Sequence, residues 1–156
     1  MTVDRYDRRI LDALQKDGAL TNGALSELVM LSPSQCSRRR AALEAAGFIT
    51  GYHAKLDASK LGFDLRVIVR VTIRAHTRDD HLNFTRWIDR QTEVRSAFSV
   101  SGSADYMLDV LVRDLETFSD FLHERLLIQP QVAQVQSDFV LKTMKDSDEL
   151  DLGASR

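Results

Sequence analysis

The chain has 156 residues, 44% hydrophobic composition and a formal net charge of −2. That suits one ordinary domain or two small ones, whose separate cores would be marginal and would favour oligomerisation. Its one cysteine, Cys36, excludes an internal disulfide and a cysteine-based zinc site. The N-terminus is charged and lacks an apolar core, so no signal peptide is expected, and no apolar run approaches the ~20 residues that cross a bilayer. A soluble, cytoplasmic protein without a membrane partner is expected.

The first half reads as three helices. Val3, Tyr6, Ile10 and Leu14 recur at helical spacing, with Thr2 as a cap, Asp4 in the first turn and Gly18 at the end. A second helix starts at Thr21 and is expected to bury Leu25, Leu28 and Val29. The third has the clearest start in the chain: Ser32 as N-cap, Pro33 at the first helical position and Gln35 three residues after the cap, with Gly47 closing the helix. Only Met30 and Leu31 separate helices two and three, so they turn sharply against each other. Phe48 to Leu56 contains Ile49, Thr50 and Tyr52 and predicts an extended strand or wing. Asp57 to Gly62 reads as a turn region.

The second half alternates with period two. Leu65, Val67, Val69, Val71 and Ile73 share one strand face, with Arg66, Arg70, Thr72 and Arg74 mostly on the other. A helix with Leu82, Phe84, Trp87 and Ile88 follows. Then come strands at Val94 to Val100 and Tyr106 to Val112, joined by a tight turn at Gly102 to Asp105. Asp114 caps a helix carrying Leu115, Phe118, Phe121, Leu122 and Leu126, Pro130 breaks it, and Val132 to Leu141 is the last strand. The order βαββαβ predicts a ferredoxin-like domain. The expected class is therefore α+β: a winged helix-turn-helix domain over 1–56, a hinge over 57–64, a ferredoxin-like domain over 65–145, and an acidic flexible tail over 146–156 with four acids and no base between Asp146 and Asp151.

The third helix carries the chemistry. Cys36, Leu43 and Ala46 face inward on helical spacing, which leaves Ser34, Gln35, Ser37, Arg38, Ala41 and Ala45 outward. Small residues let a helix enter the major groove, and polar tips reach base edges. An ordinary solvated helix would more often show Glu and Lys there. Three arginines against one glutamate make the stretch locally basic on an acidic chain, which suffices for docking on double-stranded DNA. Ser34, Ser37 and Arg38 are the base-edge candidates. Gln35 either reads a base or completes the cap. Arg39 either contacts phosphate or packs locally. Ser32 offers its cap and the helix N-terminus to a phosphate, and His53 or Lys55 on the wing adds a backbone contact. For each arginine the alternative is a solvated surface charge.

These residues resemble the Lrp/AsnC family, the leucine-responsive or feast/famine regulators, over roughly Val3 to Met144. The likeness rests on Val3-Asp4 with Asp7 and Ile10-Leu11, then Leu31-Ser32-Pro33-Ser34 with Arg38-Arg39, Leu43-Glu44 and Gly47. It continues through Ile49-Thr50-Gly51-Tyr52, Lys60-Leu61-Gly62 and Gly102-Ser103-Ala104-Asp105-Tyr106. The resemblance implies dimers joined through the α+β domains, often assembled into tetramers or octamers, and an amino-acid effector held between subunits. Carried over, the effector site is Ser101, Gly102, Ser103, Ala104, Asp105 and Tyr106, with Gln134, Val135, Gln136 and Ser137 facing it. Two positions depart from the pattern. Arg40 stands where an apolar residue is usual, its stem placed to pack while its guanidinium reaches solvent or phosphate. Ser137 stands where threonine is common.

The turn itself suits that chemistry. Gly102 permits an unusual backbone angle, Ser103 and Ala104 let a ligand approach the main chain, free N–H groups receive a carboxylate, and Asp105 holds an ammonium. A plain hairpin is the alternative. Arg66, Arg70 and Arg74 read either as a solvated sheet face or as an interface with acids such as Asp109. Cys36 reads as a buried thiol. His53, His76, His81 and His123 show no metal-ligand spacing, and no catalytic triad, phosphate loop or cofactor motif is present. The expected function is a DNA-binding transcription regulator modulated by a small molecule, and not an enzyme. The alternatives are a DNA-architectural protein without effector, or a siroheme-decarboxylase-like enzyme.

Overall fold

The computed structural model describes residues 2–74 and 77–153; His76 lies outside them. The chain divides into two compact units, Met1–Lys55 with Lys145–Arg156, and Leu56–Met144.

In the first unit, α1 spans Arg5–Lys16, α2 Asn22–Val29 and α3 Pro33–Ala45. The cap of α1 is Asp4, not Thr2. Its carboxylate accepts from the Tyr6 and Asp7 amides at 2.8 and 2.9 Å, and Asp7 accepts in return from the Asp4 amide at 3.1 Å. A carboxylate three residues ahead of another carboxylate closes both halves of a capping box, which Thr2 could not do. Thr21 caps α2, and Met30 leaves it at φ 60°, a left-handed turn that aims the chain into Ser32. Ser32 and Gln35 form the expected box on α3, and Gly47 at φ 75° ends it.

Ile10, Leu14, Leu25, Val29, Cys36 and Leu43 form the core of this unit. Leu28, expected inside, is 60% exposed. It stands about 100° round the helix from Val29, and so short a helix turns only the Leu25/Val29 stripe inward. Ala46 is likewise exposed rather than inward. The wing strand expected over 48–56 is a loop. A strand needs a partner for its ladder bonds, and among the described residues of this unit no second strand is present.

Leu150 and Leu152 are tied to α1. Leu150 exchanges two hydrogen bonds with the Gln15 side chain, both 2.9 Å, and Arg8 donates to the Leu152 carbonyl at 3.2 Å. Within the acidic flexible tail expected over 146–156, Asp146, Leu150 and Leu152 thus have partners in the first unit. The amide of Gln15 offers one donor and one acceptor, as a strand partner would, and Arg8 lies on the same stripe of α1 two turns earlier.

In the second unit, β1 spans Leu65–Ile73, α4 Arg78–Ile88, β2 Val94–Ser99, β3 Tyr106–Val112 and β4 Val132–Phe139. The helix α5, Leu115–Asp120, runs on through a wider π turn, Phe121–Leu126. The sheet order is β2-β3-β1-β4 with every pair antiparallel, the split βαβ arrangement read from the sequence. The odd positions Val67, Val69, Val71 and Ile73 pack beneath the helices with Phe84, Leu108, Val110, Phe121 and Leu126. Each such burial stabilises by roughly 1.5–3 kcal/mol. Leu82 and Leu115, expected in the apolar helix faces, are 42% and 63% exposed.

The opposite sheet face carries Arg66, Ile68, Arg70, Met107, Asp109, Leu111, Gln136 and Asp138, paired across strands as Arg66–Leu111, Ile68–Asp109, Arg70–Met107 and Arg70–Gln136.

Candidate functional site

The capping box and Pro33 set the start of α3, and Cys36 and Leu43 anchor it. The remaining surface is then determined by geometry. Ser34, Gln35, Ser37 and Arg38 are all exposed, with Ala41 and Ala45 continuing the small-residue face. No acidic side chain lies among these six. The Gln35 carbonyl oxygen accepts from the Ser32 amide and hydroxyl, both at 3.1 Å. The cap therefore uses that oxygen and not the amide nitrogen. The Ser34 hydroxyl sits 3.1 Å from that of Ser32.

Arg39 and Arg40 are drawn away from this face. Arg39 donates to Asp4 at 2.8 Å and to Asp7 at 2.7 Å, joining α3 to the start of α1. These bonds, Asp7's first and then Asp4's, raise the pKa of Arg39 further, while the amide of Asp7 and then Arg39 hold Asp4 below the usual carboxylate range. Of the two readings open for Arg39, local packing is what the geometry displays. Arg40 donates to Tyr52 at 2.8 Å, to Glu44 at 3.2 Å and to the Leu20 carbonyl at 2.9 Å. The Tyr52 hydroxyl donates to Glu44 at 2.8 Å. That bond, then Arg40's, lowers the pKa of Glu44. In the wing loop His53 and Lys55 are exposed, and Lys55 pairs with Asp146 at 3.2 Å. The signal for these ties was present in Asp4, Asp7 and Tyr52, but sequence spacing could not say which arginine each would meet.

The second site is the turn between β2 and β3. Val100 donates to the Asp105 carbonyl, and the Asp105 amide to the Val71 carbonyl, both at 3.0 Å. The Asp105 carboxylate accepts from the Ile73 amide at 2.8 Å, where β1 bulges against β4. Ser101, Gly102 and Ser103 are exposed, with Ala104 half-buried. Gly102 adopts φ 137°, and a Cβ built there would meet nothing within 4 Å. Glycine is thus required by the backbone angle and not by crowding.

Tyr106 is a core residue. It is 8% exposed, packs on Phe84 and meets His81 Nδ1 through its hydroxyl at 2.7 Å. On β4, Gln134 and Gln136 belong to the open sheet face, and Val135 and Ser137 to the helix-facing side. β1 stands between β3 and β4, so one chain does not close the turn and Gln134–Ser137 into a single pocket. Among the described residues, no cluster of His, Cys, Asp or Glu has metal-binding spacing.

Residues 3–50 match the winged helix-turn-helix DNA-binding family model, and residues 66–150 the Lrp/AsnC ligand-binding domain. This chain belongs to the Lrp/AsnC family. It is a transcription regulator with a DNA-binding unit and a ligand-binding unit, and the family is one of regulators rather than enzymes, which answers the decarboxylase alternative.

Among curated relatives, this Lrp/AsnC protein is 37% identical over 148 residues to the leucine-responsive regulatory proteins of Escherichia coli K12 and Klebsiella pneumoniae, covering 95% of this chain and 90% of theirs. Among solved structures it is similar to a Neisseria meningitidis transcriptional regulator in complex with L-Met, at TM-score 0.94 and 40% identity over 97% of both chains. It is also similar to an AsnC-family regulator from Agrobacterium tumefaciens, at TM-score 0.91 and 31% identity over 98% and 99% of the two chains. Among the described residues no helix is long and apolar enough to cross a membrane.

Proposed function

We propose that this Lrp/AsnC regulator reads duplex DNA with Ser34, Ser37 and Arg38, with Gln35 adding a donor and Ser32, His53 and Lys55 meeting phosphates. We further propose that it responds to a free amino acid at the Ser101–Tyr106 turn. The observation that carries the reading is the exposed set Ser34, Gln35, Ser37, Arg38, Ala41 and Ala45 on α3, beside two arginines committed elsewhere and with Glu44 paired to one of them. A helix with small residues along its outer side fits the major groove, and Arg38 is the one long cation placed to pair with a guanine edge.

For the effector, the open turn supplies backbone N–H groups to a carboxylate. Gln134 to Ser137 of a neighbouring subunit would supply the second wall, which one chain lacks. The L-Met in the Neisseria relative makes methionine the first effector to try. A homodimer built through the sheet face of Ile68, Met107 and Leu111, enlarged to a tetramer or octamer, would bring that wall and two recognition helices together in the cytoplasm.

The test is a gel shift on the DNA upstream of its own gene, with and without each of the twenty amino acids, paired with mass measurement in solution. Retention at low salt with a shift for at least one amino acid supports the reading. No retention of any duplex ends it. Retention that no amino acid alters favours an effector-independent architectural protein.

A further inference from the structure

Arg40 lies on α3, where its neighbours Ser37 and Arg38 face outward, yet its side chain is only 21% exposed. It is held from three directions. Nε meets the Tyr52 hydroxyl and Glu44, one terminal nitrogen meets the carbonyl of Leu20, and the guanidinium lies 4.6 Å from the centre of the Tyr52 ring. The ring also lies against Gly18, where an added Cβ would come within 3.1 Å of it. Tyr52 is thus held by the recognition helix and lies against the α1–α2 turn. The loop around it has no ladder bonds to hold it, so side chains must do so.

We infer that Arg40 is a positioning residue: it latches Tyr52 and thereby sets where His53 and Lys55 stand relative to α3, rather than contacting DNA itself. This rests on the DNA-binding role proposed above. An arginine suits the task because its planar fork serves Tyr52, Glu44 and the Leu20 carbonyl at once while its face covers the ring. A lysine offers a single nitrogen, and a leucine would leave Glu44 and the Leu20 carbonyl without their guanidinium partner.

The experiment uses the full-length protein with Arg40→Leu, Arg40→Lys, Tyr52→Phe and Gly18→Ala. Backbone amide order parameters across 51–55, from nitrogen-15 relaxation, read the latch without DNA. Titration of duplex DNA over a salt series reads its consequence. Order parameters across 51–55 are expected to fall from about 0.85 to below about 0.6 in Arg40→Leu, less far in Tyr52→Phe and Gly18→Ala, with the α1–α3 core unchanged. Affinity is expected to fall in the same order, with the slope of log affinity against log salt shallower by about one, the loss of one phosphate contact.

Unchanged order parameters across 51–55 in Arg40→Leu overturn the latch. Full affinity in Arg40→Lys together with Tyr52→Phe also overturns it, because a direct phosphate contact would tolerate both changes. If Arg40→Leu fails to fold, Tyr52→Phe and Gly18→Ala decide alone. A wild type that retains no duplex sinks the DNA reading and the positioning role together, while the order parameters still decide whether the latch exists.

Discussion

Arg39 donates to the Asp7 carboxylate at 2.7 Å, and Asp7 is 2% exposed. A buried carboxylate costs several kcal/mol unless paired, so this bond is a condition of α3 packing on α1 and not a surface ornament. Arg39→Ala is expected to lower the stability of the DNA-binding unit by roughly 2–3 kcal/mol, because Asp7 stays buried without its partner. Urea unfolding checks it. A loss below 0.5 kcal/mol, the range of ordinary surface changes at about that size, would mean the pair is dispensable.

Among the described residues Arg38 has no such tie, and its replacement separates reading from folding. Arg38→Ala is expected to leave the urea midpoint unchanged and weaken specific DNA binding by ~1–3 kcal/mol. Competition between the operator and scrambled duplex measures this. An intact preference would remove Arg38 from the base-reading set.

Gly102 tests the ligand turn. Its φ of 137° disfavours any L side chain, whereas the space around it is open. Gly102→Val should therefore distort the turn without disturbing the sheet core. Expected are a lost amino-acid response and retained DNA binding by the same oligomer, read by gel shift and mass. A normal response in that variant would place the effector elsewhere.

Glu93 gives the ligand-binding unit a pH dependence. Arg125 donates to it at 2.5 and 3.2 Å, and this hydrogen bonding, partly opposed by burial, holds the carboxyl below its ordinary value of 4.5. For a depressed acid, the stabilisation is fully present above the unfolded value and is lost as pH falls through the folded one. The unit should therefore lose stability as pH drops below about 4.5, and Glu93→Gln should flatten that part of the profile. Thermal melts between pH 3 and pH 6 at roughly half-unit steps follow it. An identical acid limb in the variant would show that the pair contributes nothing.

Cys36 is fully buried, and that burial raises its thiol pKa. A thiol reagent is expected to label it only in denaturant. Rapid labelling of the folded protein would show that α3 opens locally.

Much of this protein was legible in order and period alone. The Ser32/Gln35 box, the start of the second helix at Thr21, the alternation of Val67, Val69 and Val71, and the βαββαβ order are local or periodic properties, and each is written in residues a few positions apart. The failures have one cause too. Leu28 and Leu82 are apolar at helical spacing but sit where no second element arrives to cover them. The wing lacks a strand because no partner strand exists within its unit.

What the sequence by itself determined was the order of the helices and sheet strands, the inward alternation of β1 and the small, polar outer residues of α3, since backbone sterics and hydrophobic period act over one or two turns. What only the tertiary structure decided was which charges are spent. Arg38, Arg39 and Arg40 are adjacent and chemically identical, yet one faces solvent, one closes on Asp4 and Asp7, and one on Tyr52 and Glu44. The 100° step of a helix sends neighbours to different partners, and those partners lie 12 to 35 positions away along the chain wherever they belong to another element.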